Sequence, residues 1–118
     1  MIRLANKQAA RSTYIYRLGA VITKGNRVLS TGYNRLAYCP LNKYKVSKHA
    51  EMDAVLKLMR RNNGLSSLAG STLYVSRITK TGVGLAKPCL RCMELIRAVG
   101  ISEVIYTTAN GTKKEKVL

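Results

Sequence analysis

Lys48-His49-Ala50-Glu51-Met52-Asp53 and Lys87-Pro88-Cys89-Leu90-Arg91-Cys92 are the stretches from which the rest of the chain is read. Together they hold three side chains able to ligate a metal, and one carboxylate beside them. If Pro88 opens a helix, Cys89 and Cys92, three residues apart, project from its first turn on the same side. With His49 they form a Cys2His set. Three protein ligands rather than four leave a coordination position for water, the pattern of a catalytic rather than a structural zinc site. Either half alone says less. A C-x-x-C also serves redox pairs and buried core cysteines, and a glutamate near a helix start is an ordinary partner of the helix dipole.

Working outward, 118 residues fit one domain over residues 1–118, with room for one core. No apolar run approaches the roughly 20 residues of a membrane span, so no membrane association is expected. The opening Met1-Ile2-Arg3-Leu4-Ala5-Asn6-Lys7 lacks an apolar signal core. An odd count of three cysteines suits a reducing compartment better than a disulfide framework. These features predict a cytoplasmic or otherwise intracellular protein. Lys and Arg number 21 against five acidic residues, a formal charge of +16. That field attracts phosphate, as nucleic acid or as nucleotides, and charge alone does not separate the two.

Residues 4–12 favour a short amphipathic covering helix. Tyr16–Ile22 and Val28–Thr31 read as a hairpin about Lys24-Gly25-Asn26-Arg27. A long loop then runs to Ser47 through Pro40, with Cys39 in it as an unpaired thiol. From His49 to Arg61 the chain reads as a helix with a core stripe of Met52, Val55, Leu56 and Met59. His49 falls on that stripe and points inward. Glu51 lies about 200° around an ideal helix from His49, so helical spacing alone does not bring the two to one metal. Asn62-Asn63-Gly64 ends the helix, Ser71–Ser76 is a strand, and Arg77–Lys87 is a glycine-containing loop. The second site helix, 89–99, carries Cys89, Cys92, Ile96 and Val99 on one face and stops at Gly100. Ser102–Thr108 is a strand parallel to 71–76. Ala109–Lys116 reads as a solvated basic tail, and a full fifth strand is not expected after it.

A histidine two residues before a glutamate, followed 40 residues later by P-C-x-x-C, is the signature of zinc deaminases of nucleobases. The chain thus resembles the zinc-dependent cytidine and deoxycytidylate deaminase superfamily, over roughly residues 15–108. The resemblance implies an α/β, three-layer fold, a mixed sheet of four to five strands with the zinc-site helices packed on it. It also implies one Zn2+ held by His49, Cys89 and Cys92, which would activate a water for attack on C4 of cytosine. Glu51 would be the catalytic proton shuttle. Asn34 matches a G-x-N whose asparagine contacts sugar or base, and the backbone N–H of Ala50 would hold the pyrimidine carbonyl. With no Trp or Phe in the chain, any base stacking falls to Tyr or Arg, and Tyr33, Tyr38, Tyr44 and Tyr106 lie near the expected mouth.

The function so implied is hydrolytic deamination of cytosine to uracil, in single-stranded DNA or RNA or in a (deoxy)cytidine nucleotide. Adenosine-to-inosine deamination of RNA would use the same zinc chemistry. A non-catalytic zinc-stabilised nucleic-acid-binding module is the alternative of another class. Against it stand Glu51 and the missing fourth protein ligand. Homo-oligomerisation is left open.

Overall fold

The computed structural model describes residues 1–13, 16–39, 44–61 and 68–117, with strands 35–39 and 44–48 described beyond Arg35 by their backbone alone. Three helices and eight strands follow in chain order: α1 (Ile2–Ala10), β1 (Arg17–Lys24), β2 (Arg27–Tyr33), β3 (Arg35–Cys39), β4 (Tyr44–Lys48), α2 (Ala50–Arg61), β5 (Thr72–Thr79), β6 (Gly82–Gly84), α3 (Leu90–Val99), β7 (Glu103–Thr108) and β8 (Gly111–Lys116). Six strands form one mixed sheet in the order β2-β1-β5-β7-β8, with β6 paired to β5. The β5/β7 pair is parallel and the other pairs are antiparallel.

Side chains opposite one another across a ladder share a face of the sheet, and this sorts the layers. Ala20 pairs with Val75, Ile22 with Leu73, Leu73 with Val104 and Val75 with Tyr106. These residues make one core with Ala54, Val55 and Leu58 of α2 and Ile96 and Val99 of α3. The alternate positions face α1, which buries Ala5 and Ala9 and fixes Asn6 by a hydrogen bond from the Ser76 hydroxyl. The result is helix, sheet, helices, the three layers expected from the sequence.

Two glycines let the helices approach the sheet this closely. A Cβ at Gly19 would stand 2.2 Å from the Ala5 carbonyl oxygen, and one at Gly32 would stand 2.5 Å from that of Ala50 and 2.7 Å from the Ala54 nitrogen. Backbone cannot yield as a flexible side chain does. Gly32→Ala is therefore expected to cost about 1–3 kcal/mol and to push the start of α2, with its functional side chains, off the sheet. Urea denaturation checks the first effect and zinc content the second.

Four expectations change. The helix stripe is rotated: α2 buries Ala50, Glu51, Asp53, Ala54, Val55 and Leu58, while Met52, Leu56 and Met59 are only partly buried. Small residues facing Gly32 set that rotation, where a search for large apolar side chains points to the wrong flank. The long loop contains the β3–β4 hairpin, in register from Arg35↔Lys48 to Cys39↔Tyr44. The 77–87 loop continues β5 to Thr79 and returns as β6. The basic tail is β8, paired with β7 from Glu103↔Lys116 to Thr108↔Gly111. Its side chains are mostly exposed, so it lacks apolar alternation and is held by backbone hydrogen bonds at the sheet edge. The expected stop at Asn62-Asn63-Gly64 and the side chains of Tyr38, Cys39 and Tyr44 lie outside the described residues.

Candidate metal centre and cavity

Each metal-site segment leads into a helix on the same side of the sheet, the first directly after β4 and the second after the stretch that follows β6. The carbonyl oxygen of His49 accepts the Asp53 N–H at 2.9 Å, and that of Cys89 accepts the Met93 N–H at 2.9 Å. Each residue thus stands immediately before its helix. Because His49 lies outside α2, the 200° separation on a helical wheel does not apply to it, and its ring turns toward α3. Cys89 caps α3 in extended conformation, φ −70° and ψ 170°, and Cys92 is buried one turn on. Gly100, at φ +90°, closes α3 in the left-handed region that glycine adopts without a Cβ clash.

The donor atoms of His49, Cys89 and Cys92 all lie within 4.8 Å of one another. His49 Nδ1 is 3.2 Å from Cys92 Sγ and 3.7 Å from Cys89 Sγ. Around a tetrahedral zinc, with bonds near 2.1 Å to nitrogen and 2.3 Å to sulfur, the nitrogen–sulfur separation is about 3.6 Å. The set fits one Zn2+. His49 is exposed rather than on an inward stripe, and Cys89 is exposed while Cys92 is buried.

Glu51 is 4% exposed. Burial raises its carboxyl above the ordinary range, against its own backbone N–H, His49 and Cys92, which favour the ionised form. Burial likewise raises the Cys92 thiol, and the Glu51 carboxylate and the Cys89 thiol push it further. Two groups whose anions oppose each other in a dry place gain from a shared divalent cation, because positive charge lets both ionise. The start of α3 adds a favourable dipole.

A cavity of about 240 Å³ opens onto this centre, lined by Tyr16, Leu18, Asn34, His49, Ala50, Glu51, Lys87 and Cys89. Of the substrate-contact residues expected from the sequence, Asn34 and Ala50 line it. Asn34 also does structural duty: its Oδ1 accepts the Leu18 N–H at 2.8 Å and its Nδ2 donates to the Tyr16 carbonyl. That fixes the side chain and the wall around it. Ala50, first in α2, brings one of the amide N–H groups that a helix start leaves unpaired. Tyr106 is elsewhere. It is 2% exposed in the core, absent from the lining, and its hydroxyl donates to Glu115 Oε1 at 2.9 Å. Its place opposite Val75 on the helix-covered face explains this. Lys87 was not singled out from the sequence, although its position one residue before Pro88-Cys89 is the signal that could have found it. Its Nζ lies 3.5 Å from Glu115 Oε1.

Asp53, fully buried, ties the start of α2 to β2. Its carboxylate takes Arg35 Nη2 at 2.9 Å, Lys57 Nζ at 3.4 Å and the Tyr33 N–H at 3.3 Å. Burial alone would raise this carboxyl, but the Arg35 hydrogen bond, Lys57 and the Tyr33 N–H outweigh it and hold it below the ordinary range. The unfolded chain therefore binds the extra proton. The stability Asp53 contributes is complete above about pH 4 and drains away as pH falls through the lower folded-state value. Asp53→Asn is expected to cost about 1–3 kcal/mol at pH 7. The variant should also lose less stability than the wild type between pH 6 and pH 3, which urea midpoints across that window measure.

Residues 1–108 match the family model described as the cytidine and deoxycytidylate deaminase zinc-binding region. The deoxycytidylate deaminase of Mycobacterium phage D29 is 33% identical over 112 residues, covering 76% of this chain and 77% of that protein. The deoxycytidylate deaminase of Schizosaccharomyces pombe is 30% identical over 118 residues, covering 92% of this chain but 36% of that longer protein. Among solved structures, a cytidine deaminase from Burkholderia pseudomallei superposes with a TM-score of 0.74 at 16% identity, over 98% of this chain and 89% of that one. No helix among the described residues is long and apolar enough to cross a membrane.

Proposed function

The chain belongs to the zinc-dependent cytidine and deoxycytidylate deaminase family, and from that premise we propose that it hydrolyses deoxycytidine monophosphate to deoxyuridine monophosphate and ammonia. One observation carries the reaction. A buried carboxylate, Glu51, lines the same cavity as His49 and Cys89, whose donor atoms gather with that of Cys92 within 4.8 Å. The mononucleotide is favoured because both relatives above are deoxycytidylate deaminases.

His49, Cys89 and Cys92 would hold the zinc, which would supply Lewis acidity to a water and lower its pKa towards about 7. Glu51 takes a proton from the attacking water as its oxygen bonds to C4, and gives it to the ring nitrogen N3. Glu51 then carries the second water proton to the departing amino group, so that ammonia leaves as the C4 carbonyl forms. A carboxyl whose burial raises its proton affinity suits both directions of that transfer. Asn34, held by its hydrogen bond from the Leu18 N–H of β1, would orient sugar or base, and the Ala50 N–H would hold the pyrimidine carbonyl. Leu18 and Tyr16 complete the cavity lining.

The formal charge of +16 favours a second reading, cytosine in a single-stranded oligonucleotide, whose binding would weaken steeply with salt. A panel of deoxycytidine, dCMP and a deoxycytidine-containing single strand, with zinc measured in the same sample, decides between them. Release of dUMP from dCMP with little salt dependence is expected. A zinc-loaded protein that deaminates none of the three overturns the proposal.

A further inference from the structure

We propose that the groove adjoining the catalytic cavity is a phosphoryl subsite and that Arg77 reads the charge there. This rests on the deoxycytidylate reading above and deepens it, by assigning how the chain distinguishes nucleotide from nucleoside. The groove, about 450 Å³, is lined by Tyr16, Leu18, Arg77 and Leu85. Tyr16 and Leu18 also line the catalytic cavity, so the two spaces share walls. The proposed chemistry requires the cytosine ring to face Glu51, and the groove that shares Tyr16 and Leu18 with the cavity is the space into which sugar and phosphate would extend.

The β5–β6 hairpin builds this second space. β5 pairs with β7 only as far as Val75, then continues and turns back so that Arg77 opposes Gly84. Leu85 follows directly, 57% exposed. The Arg77 guanidinium lies 4.8 Å from the centroid of the Tyr16 ring, and Tyr16 is itself 56% exposed. Among the described residues no carboxylate stands within ion-pair distance of Arg77.

Two other cations, Lys87 in the cavity lining and Arg17 between Tyr16 and Leu18 in the chain, are engaged. Lys87 is neutralised by Glu115 at 3.5 Å, whose carboxylate is in turn fixed by the buried Tyr106 hydroxyl. Arg17 donates to the carbonyl oxygens of Ser12 and Ala10. Of the three, Arg77 alone has its guanidinium held by neither a carboxylate nor a carbonyl oxygen among the described residues, and it lies over an aromatic face instead. A guanidinium so held loses little freedom on binding and can offer two parallel N–H groups to a phosphate.

Steady-state kinetics with dCMP test the assignment. Arg77→Gln should raise KM about tenfold or more while kcat changes less than about threefold, the signature of lost uniform binding. Arg77→Lys should fall between the two. Leu85→Glu, at an exposed position, sets a carboxylate in the groove without disturbing the core and should raise KM in the same sense. Inorganic phosphate should bind the wild type and bind Arg77→Gln more weakly, followed by 31P line broadening. Unchanged dCMP KM in Arg77→Gln and Leu85→Glu overturns the subsite even where the wild type makes dUMP. A wild type inactive on dCMP overturns the deoxycytidylate reading instead, and the phosphate measurement then decides the subsite: weaker binding by Arg77→Gln supports it and equal binding refutes it.

Discussion

Glu51→Gln should lower kcat for dCMP by about 10²–10⁴, the range lost with a general acid–base group, while zinc stays at one per chain. The substitution keeps the shape and one hydrogen-bond acceptor but cannot accept the water proton. Folding should not suffer. Glu51 is 4% exposed and burial disfavours its charge, so a neutral amide is easier to bury there than a carboxylate. The two readouts, turnover and metal content, separate a chemical role from a supporting one. A variant that turns over at the parental rate removes Glu51 from the mechanism.

Cys92→Ala is the second large effect, and it acts on fold and chemistry together. Cys92 is 1% exposed in the first turn of α3 and sits 3.2 Å from His49 Nδ1. Removing its sulfur leaves two protein donors, both on exposed residues. Zinc should be lost and deamination with it. Ligand binding to the folded state alone stabilises by about 4 kcal/mol at a thousandfold excess over Kd, so the variant should melt well below the zinc-loaded parent. A chelator should lower the wild-type Tm to near that of the variant and leave the variant unmoved. Retention of stoichiometric zinc by Cys92→Ala would count against the assigned ligand set.

The parts of the molecule legible from sequence are those where side-chain chemistry and local geometry agree. The β1–β2 hairpin, α3 with its stop at Gly100 and the parallel β5/β7 pair follow from period, turn residues and caps. The grouping of His49 with Cys89 and Cys92 required a resemblance, since no local rule brings residues 40 positions apart to one point. α2 was placed correctly and rotated wrongly, because a close helix–sheet contact selects Ala50, Ala54 and Gly32 where a hydrophobic count selects Met52 and Leu56. Tyr106 illustrates the limit of composition. A tyrosine late in a strand suits a mouth or a core equally, and only the register with Val75 decides for the core. The β8 strand was illegible because an edge strand of glycine, threonine, lysine and glutamate carries no apolar alternation.

That edge has a consequence for how copies of the chain meet. A terminal strand exposes a ladder of open N–H and C=O groups, a template on which a strand from another molecule could grow. Lys113, Lys114 and Lys116 are exposed along β8, so a second β8 brought alongside would set like charges against one another. The repulsion is electrostatic and therefore weakens as salt shortens the Debye length. Low ionic strength should keep this margin from seeding fibrils, and concentrated salt should remove much of that protection.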